Sequence, residues 1–177
     1  MQGRQGSNRQ GFLCESGADP DQYRKGYAAM YFVDREKIEN TLRCLENQIN
    51  LFEKLAEGSL EASIEALAFE RVSQIMIDSV LDSGNAMIDG FIMRDPGSFE
   101  DIIDILEDEK VITSEMAVSF KKTIPLRKML VQNYIDISRD ELRSGMKESF
   151  SAFKAFPEKI RKYLTDELGP VSAFKNE

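Results

Sequence analysis

The chain has 177 residues, 42% hydrophobic and 31% charged, which is enough for one well-cored domain; no apolar run is long enough to span a membrane. It contains no histidine, which excludes Ser-His-Asp and Cys-His nucleophile systems, an imidazole general base and the Glu-x-x-His di-metal site of helical bundles. Two cysteines suit a reducing, cytoplasmic compartment and build no zinc cage, and a net charge of −8 argues against indiscriminate coating of nucleic acid.

Residues 1–29 are rich in Gly, Gln, Ser and Asp, show no apolar period and lack the hydrophobic segment of a signal peptide. They read as a disordered N-terminal extension ahead of Met30-Tyr31-Phe32. From Asp34 the pattern turns helical: Ile38, Leu42, Leu45, Ile49, Phe52 and Ala56 step by four and three along one face, with Asp34 as N-cap and Gly58 as stop. Cys44, beside this stripe, reads as a small packed side chain.

A second, longer helix is predicted over 59–92. Ile64, Leu67, Ala68, Val72, Ile75, Met76, Val80, Met87 and Phe91 cover a wide arc, as in the central helix of a bundle. Opposite them runs a polar line, Asp78, Asp82, Asn85 and Asp89. It can face water, orient a cation on a neighbouring helix, or bind a divalent ion, the last only if several elements converge on it.

Asp95-Pro96-Gly97-Ser98 predicts a turn, with Ser98 capping a short helix whose apolar side is Phe99, Ile102, Ile103 and Leu106. Its acidic side (Glu100, Asp101, Asp104, Glu107, Asp108, Glu109) reads as a solvated face. The next helix is predicted over 114–134, kinked or restarted at Pro125, and the last over 138–168, interrupted at Pro157, with Phe150, Phe153 and Phe156 facing inward. Gly169-Pro170 ends it, leaving a tail over 169–177. No β-branched stretch alternates with period two. The expected fold is all-α, an antiparallel bundle of about five helices over 30–168.

One window departs from the acidic background. Met116–Ile135 holds no Asp or Glu, yet carries Lys121, Lys122, Arg127 and Lys128. On a continuous helix Arg127, Leu130, Val131 and Tyr134 share a face. Arginine offers a planar fork that matches a phosphate, and tyrosine a hydroxyl and a stacking surface. The pattern points to an anionic ligand, beside the plain reading of a packed, solvated helix.

Within this window, Arg127-Lys128-Met129-Leu130-Val131-Gln132-Asn133-Tyr134 resembles the R-x-x-x-x-H-x-Y signature of HepT-like proteins in the HEPN superfamily, the toxin partners of minimal nucleotidyltransferase antitoxins. The resemblance extends from Met30 to about Leu168, including Leu81-Asp82-Ser83-Gly84-Asn85 and the approach through Phe120, Lys121 and Lys122; it is greatest to uncharacterised members from Bacillus-type bacteria. It implies a homodimer whose motif helices form a composite cleft for RNA, a possible nucleotidyltransferase antitoxin as partner, metal-independent cleavage by the Arg and the His, and a Tyr that accepts AMP. It implies no cofactor and no metal. Carried over, Arg127 holds the phosphate, Lys121, Lys122 and Lys128 contact RNA, Asp82 or Asn85 orients Arg127, and Tyr134 is the modification candidate.

Gln132 stands at the His position. Glutamine hydrogen-bonds but exchanges no proton at neutral pH, and general acid–base catalysis contributes about 10²–10⁴-fold, so weakened or lost nuclease activity is expected. Two other readings stand beside this one. The first is a non-catalytic structural or regulatory dimer, with Met76, Met87, Met93, Met116 and Met129 as adaptable packing. The second is a Mg-dependent nucleotide pyrophosphatase, for which Glu36 and Glu39 are correctly spaced but no matching Glu-x-x-Asp pair follows on the next helix.

Overall fold

The computed structural model describes residues 33–58 and 64–169, and within them every regular element is a helix. The expected extension over 1–29, Cys14 and the tail beyond Gly169 lie outside the described residues. No described helix is long and apolar enough to cross a membrane.

Helix α1 (Arg35–Leu55) starts where its cap is supplied: the Asp34 carboxylate accepts from the Lys37 N–H at 2.9 Å. It buries the expected stripe, Ile38, Leu42, Leu45, Ile49 and Phe52. Each such side chain contributes about 1.5–3 kcal/mol of transfer free energy.

Helix α2 (Ile64–Gly90) packs against each of the five other helices and is the bundle's central element. Its inward face differs in phase from the expected arc at the N-terminal end. Ile64 and Leu67 are exposed, whereas Ala66, Phe69 and Ser73 are buried. Small residues on the inner face let neighbouring helices approach closely, so burial there follows backbone proximity more than hydrophobicity.

Helix α3 (Phe99–Asp108) is capped by Ser98, whose hydroxyl accepts from the Asp101 N–H. It lies so close to α2 that a Cβ on Gly84 would sit 2.6 Å from Ile102 Cγ2. Its acidic side is more than a solvated face, because Asp101 pairs with Arg94 and Asp104 pairs with Lys121.

Helix α4 (Ser114–Gln132) is capped by Thr113 and runs through Pro125 as one element, ending at Gln132 with Asn133 as C-cap. The predicted final helix is two helices, α5 (Arg139–Glu148) and α6 (Phe150–Leu168), making six among the described residues. The break falls at Ser149, not at Pro157. Ser149 is fully buried and its hydroxyl donates to the Ser119 carbonyl of α4, anchoring the bend, while Pro157 is accommodated inside α6.

Phe153 and Phe156 are fully buried and each meets Phe120 edge-on with centroids 5.4 Å apart. Phe150 is half-buried and stacks on Phe52. Arg161 of α6 grips Glu39 and Glu46 of α1 through hydrogen bonds of 2.6–3.1 Å. This use of Glu39 leaves it in a structural clamp rather than in the paired-acid arrangement of a pyrophosphatase.

Candidate functional site

Arg127 occupies the C-terminal half of α4, on the side facing α2 and α3. Its Nε donates to Asp78 Oδ1 of α2 at 2.6 Å, and its guanidinium carbon lies 4.3 Å from the centre of the Phe99 ring at the start of α3. The other Asp78 oxygen accepts from Gln74 Nε2 at 3.4 Å, and Gln74 Oε1 accepts from Arg71 Nη1 at 3.1 Å. Arg71, Gln74 and Asp78 follow i, i+3, i+7 spacing on one face of α2.

The Arg127 and Asp78 side chains are 24% and 28% exposed. The pair is thus shielded enough to be firm and open enough to be reached. Among the described residues no hydrogen bond or ion pair engages the two terminal nitrogens of Arg127.

The structure corrects the expected partner. The residue of the polar line that bonds Arg127 is Asp78, one turn before Asp82. Asp82 acts on Arg127 only through space. Its carboxyl is held above the ordinary aspartate range by partial loss of solvent and then by the nearby Asp78 charge, with Arg127 and Lys37 pulling the other way. Asn85 is half-buried further along α2, and Asp89 is exposed.

The expected face shared by Arg127 and Tyr134 does not form, because the helix stops before the tyrosine. Asn133 leaves helical geometry (φ −111°, ψ 32°), and the Asp136 N–H closes a turn onto the Asn133 carbonyl. Gln132 is the last helical residue and is exposed; Tyr134 is 67% and Ile135 83% exposed in that turn. The three lysines also separate. Lys121 pairs with Asp104, which raises its affinity for its proton, Lys122 pairs with Glu148, and Lys128 is exposed.

Beside the Asp78–Arg127 pair, α1 and α2 enclose an open polar groove of about 700 Å³. Asp34, Glu36, Lys37, Asn40 and Thr41 line one wall, and Arg71, Asp78, Ser79 and Asp82 the other. Cys44, a free and half-buried thiol, also lines it, so it is less enclosed than its place beside the apolar stripe implied. Among the described residues no three His, Cys, Asp or Glu side chains gather as a metal cage.

Of the residues that hold Arg127, Asp78 belongs to the polar line expected to orient a cation, and Phe99 has no expected role. Phe99, on the expected apolar side of α3, is 41% exposed and lies against the Arg127 guanidinium. Asp78 and Asp82 share the polar line, and spacing alone does not distinguish them. The available signal is that the stretch from Met116 to Ile135 holds no acid, so a carboxylate for Arg127 comes from another helix.

Residues 42–160 match the family described as Ribonuclease HepT-like. The chain is 51% identical over 146 residues to YutE of Bacillus subtilis (strain 168), a proposed RNase, covering 82% of this chain and 100% of that one. A solved structure of YutE, described as a cytosolic protein of unknown function, matches with a TM-score of 0.76 at 50% identity over 82% of this chain and 100% of that chain. The tri-AMPylated HEPN toxin of Shewanella oneidensis, solved in complex with MNT antitoxin, matches with a TM-score of 0.63 at 19% identity, over 71% of this chain and 96% of that one. At that identity the likeness bears on fold alone.

Proposed function

The chain belongs to the Ribonuclease HepT-like family, and from that premise we propose that it is a cytoplasmic, toxin-type HEPN protein that binds RNA through Arg127 and has weakened or lost nuclease activity. The observation that carries this reading is the Arg127 guanidinium, fixed at Nε and on one face, next to a sequence motif in which Gln132 replaces the proton-exchanging residue. A phosphodiester needs a charged planar fork to be held and a titrating group to be cut. In the motif Arg127 supplies the first, and Gln132 stands where the second is expected.

Full-length protein incubated with total RNA and with tRNA, in the presence of EDTA, tests both halves. Retained RNA in a gel shift, lost on Arg127→Ala, and no cleavage above background is the expected result. Robust cleavage that Arg127→Ala abolishes would overturn the loss of activity, and no Arg127-dependent binding would overturn the RNA assignment. Gln132→His is expected to raise cleavage by about 10²-fold or more.

The proposed assembly is a homodimer with a nucleotidyltransferase antitoxin as partner. Support for the dimer comes from the exposed apolar residues Val131, Tyr134 and Ile135 at the C-terminal end of the motif. Tyr134 is accessible enough to accept AMP. Incubation with ATP, Mg²⁺ and an MNT-type nucleotidyltransferase should place the adduct on the Tyr134 peptide, and Tyr134→Phe should remove it.

A second reading, a non-catalytic regulatory dimer, is favoured by the engagement of Lys121 and Lys122 in ion pairs within the chain. It predicts that Arg127→Ala and Tyr134→Phe leave the cellular phenotype unchanged.

A further inference from the structure

We propose that Asp78 and Phe99 are positioning residues that hold Arg127 ready for a phosphodiester. The inference rests on the RNA-binding reading above and assigns two roles that the motif itself does not contain.

A guanidinium is a rigid plane, so two constraints suffice to aim it. Asp78 supplies one at Nε, at 2.6 Å, and Phe99 supplies the other with its ring face, whose centre is 4.3 Å from the guanidinium carbon. Asp78 is itself held, since Gln74 occupies its second oxygen and Arg71 orients Gln74. What remains of Arg127 is the edge bearing Nη1 and Nη2, the donor pair that meets a phosphate bidentately. An arginine aimed in advance loses little rotamer freedom on binding, whereas an unrestrained one must be ordered by its ligand. The three residues come from three helices, so the aim is a property of the fold and not of the motif.

The proposal predicts a sign opposite to that of bare electrostatics. Removing a carboxylate beside an anion site should tighten RNA binding by Coulomb's law alone. If Asp78 positions Arg127, Asp78→Asn must weaken it.

Fluorescence anisotropy of the full chain with fluorescein-labelled single-stranded RNA reads the difference. Arg127→Ala is expected to weaken binding about tenfold or more. Asp78→Asn should weaken it about threefold to tenfold, and Phe99→Leu about twofold to threefold. In the Arg127→Ala background, Asp78→Asn should have no further weakening effect, which a general loss of structure would not reproduce. Circular dichroism and unfolding midpoints check that each variant folds.

Equal or tighter binding by Asp78→Asn, with Arg127→Ala still weak, would overturn the positioning role and leave the RNA reading intact. Unchanged binding by Arg127→Ala would overturn the RNA reading, and with it the purpose of the clamp. A separate measurement concerns the clamp itself. The Arg127 Nε–H resonance should be protected from solvent exchange in the parent and lose that protection in Asp78→Asn; no protection in the parent would refute the clamp whatever RNA does.

Discussion

Asp82 shows how a single carboxylate can cost stability at the edge of a site. It is exposed on one side, yet partial desolvation and the neighbouring Asp78 hold its pKa above the ordinary 3.8. A raised carboxyl pKa means that the folded state binds the proton more tightly than the unfolded state. Below 3.8 both states are protonated and the residue is neutral in the balance. As pH rises through the folded value the folded state loses stability, and the penalty persists at neutral pH. Asp82→Asn should therefore raise the thermal midpoint slightly at pH 7, with the gain vanishing toward acidic pH. The gain is small because water still reaches the carboxylate. A lower midpoint at pH 7 would mean that Asp82 has a partner stronger than its penalties.

At the scale of elements, the ends and contacts of helices decide where the site residues fall. Helix α2 ends with Ile92 in left-handed geometry (φ 53°), the Met93 N–H closing back on the Ile88 carbonyl. A β-branched residue is strained there, and this one is 68% exposed, so little burial offsets the strain. Ile92→Gly should stabilise the protein by ~1 kcal/mol after the extra entropy of a glycine in the unfolded chain is counted. Urea unfolding with an unchanged slope would establish it.

Gly84 should respond in the opposite sense. Alanine normally favours a helix interior over glycine, but here its methyl would meet Ile102 at 2.6 Å and Leu106 at 3.1 Å. Gly84→Ala should destabilise by roughly 1–2 kcal/mol and displace α3, the helix that carries Phe99 to Arg127. A neutral or stabilising result would show that α3 yields without cost.

For the whole molecule, charge and exposed apolar surface point to different contacts. With a net charge of −8, the proposed RNA contact would be confined to a local site, and with about one or two phosphates neutralised there the log–log salt slope should be shallow, about −1. Val131 at the end of α4, with Tyr134 and Ile135 in the turn after it, is the surface that a second copy would cover in the proposed dimer. Ile135→Glu should convert a dimer to a monomer in light scattering while leaving the unfolding midpoint of the isolated bundle nearly unchanged. If the parent chain is already monomeric, the proposed dimer is wrong.

Periodicity along the chain determined that this protein is a helical bundle, which face of α1 is buried, where α1 and α3 are capped, and that α4 carries an arginine in an acid-free window. These are local properties, set by residues within a few turns of one another. Tertiary packing decided the rest. It broke the final helix at Ser149, because a hydroxyl there reaches Ser119 on α4, whereas Pro157 could be absorbed within α6. It also chose Asp78 over Asp82 as the partner of Arg127 and brought Phe99 beneath it. The two carboxylates are equivalent by spacing along α2; only the angle and height at which α4 crosses that helix distinguish them, and no local pattern encodes a crossing between residues 49 positions apart.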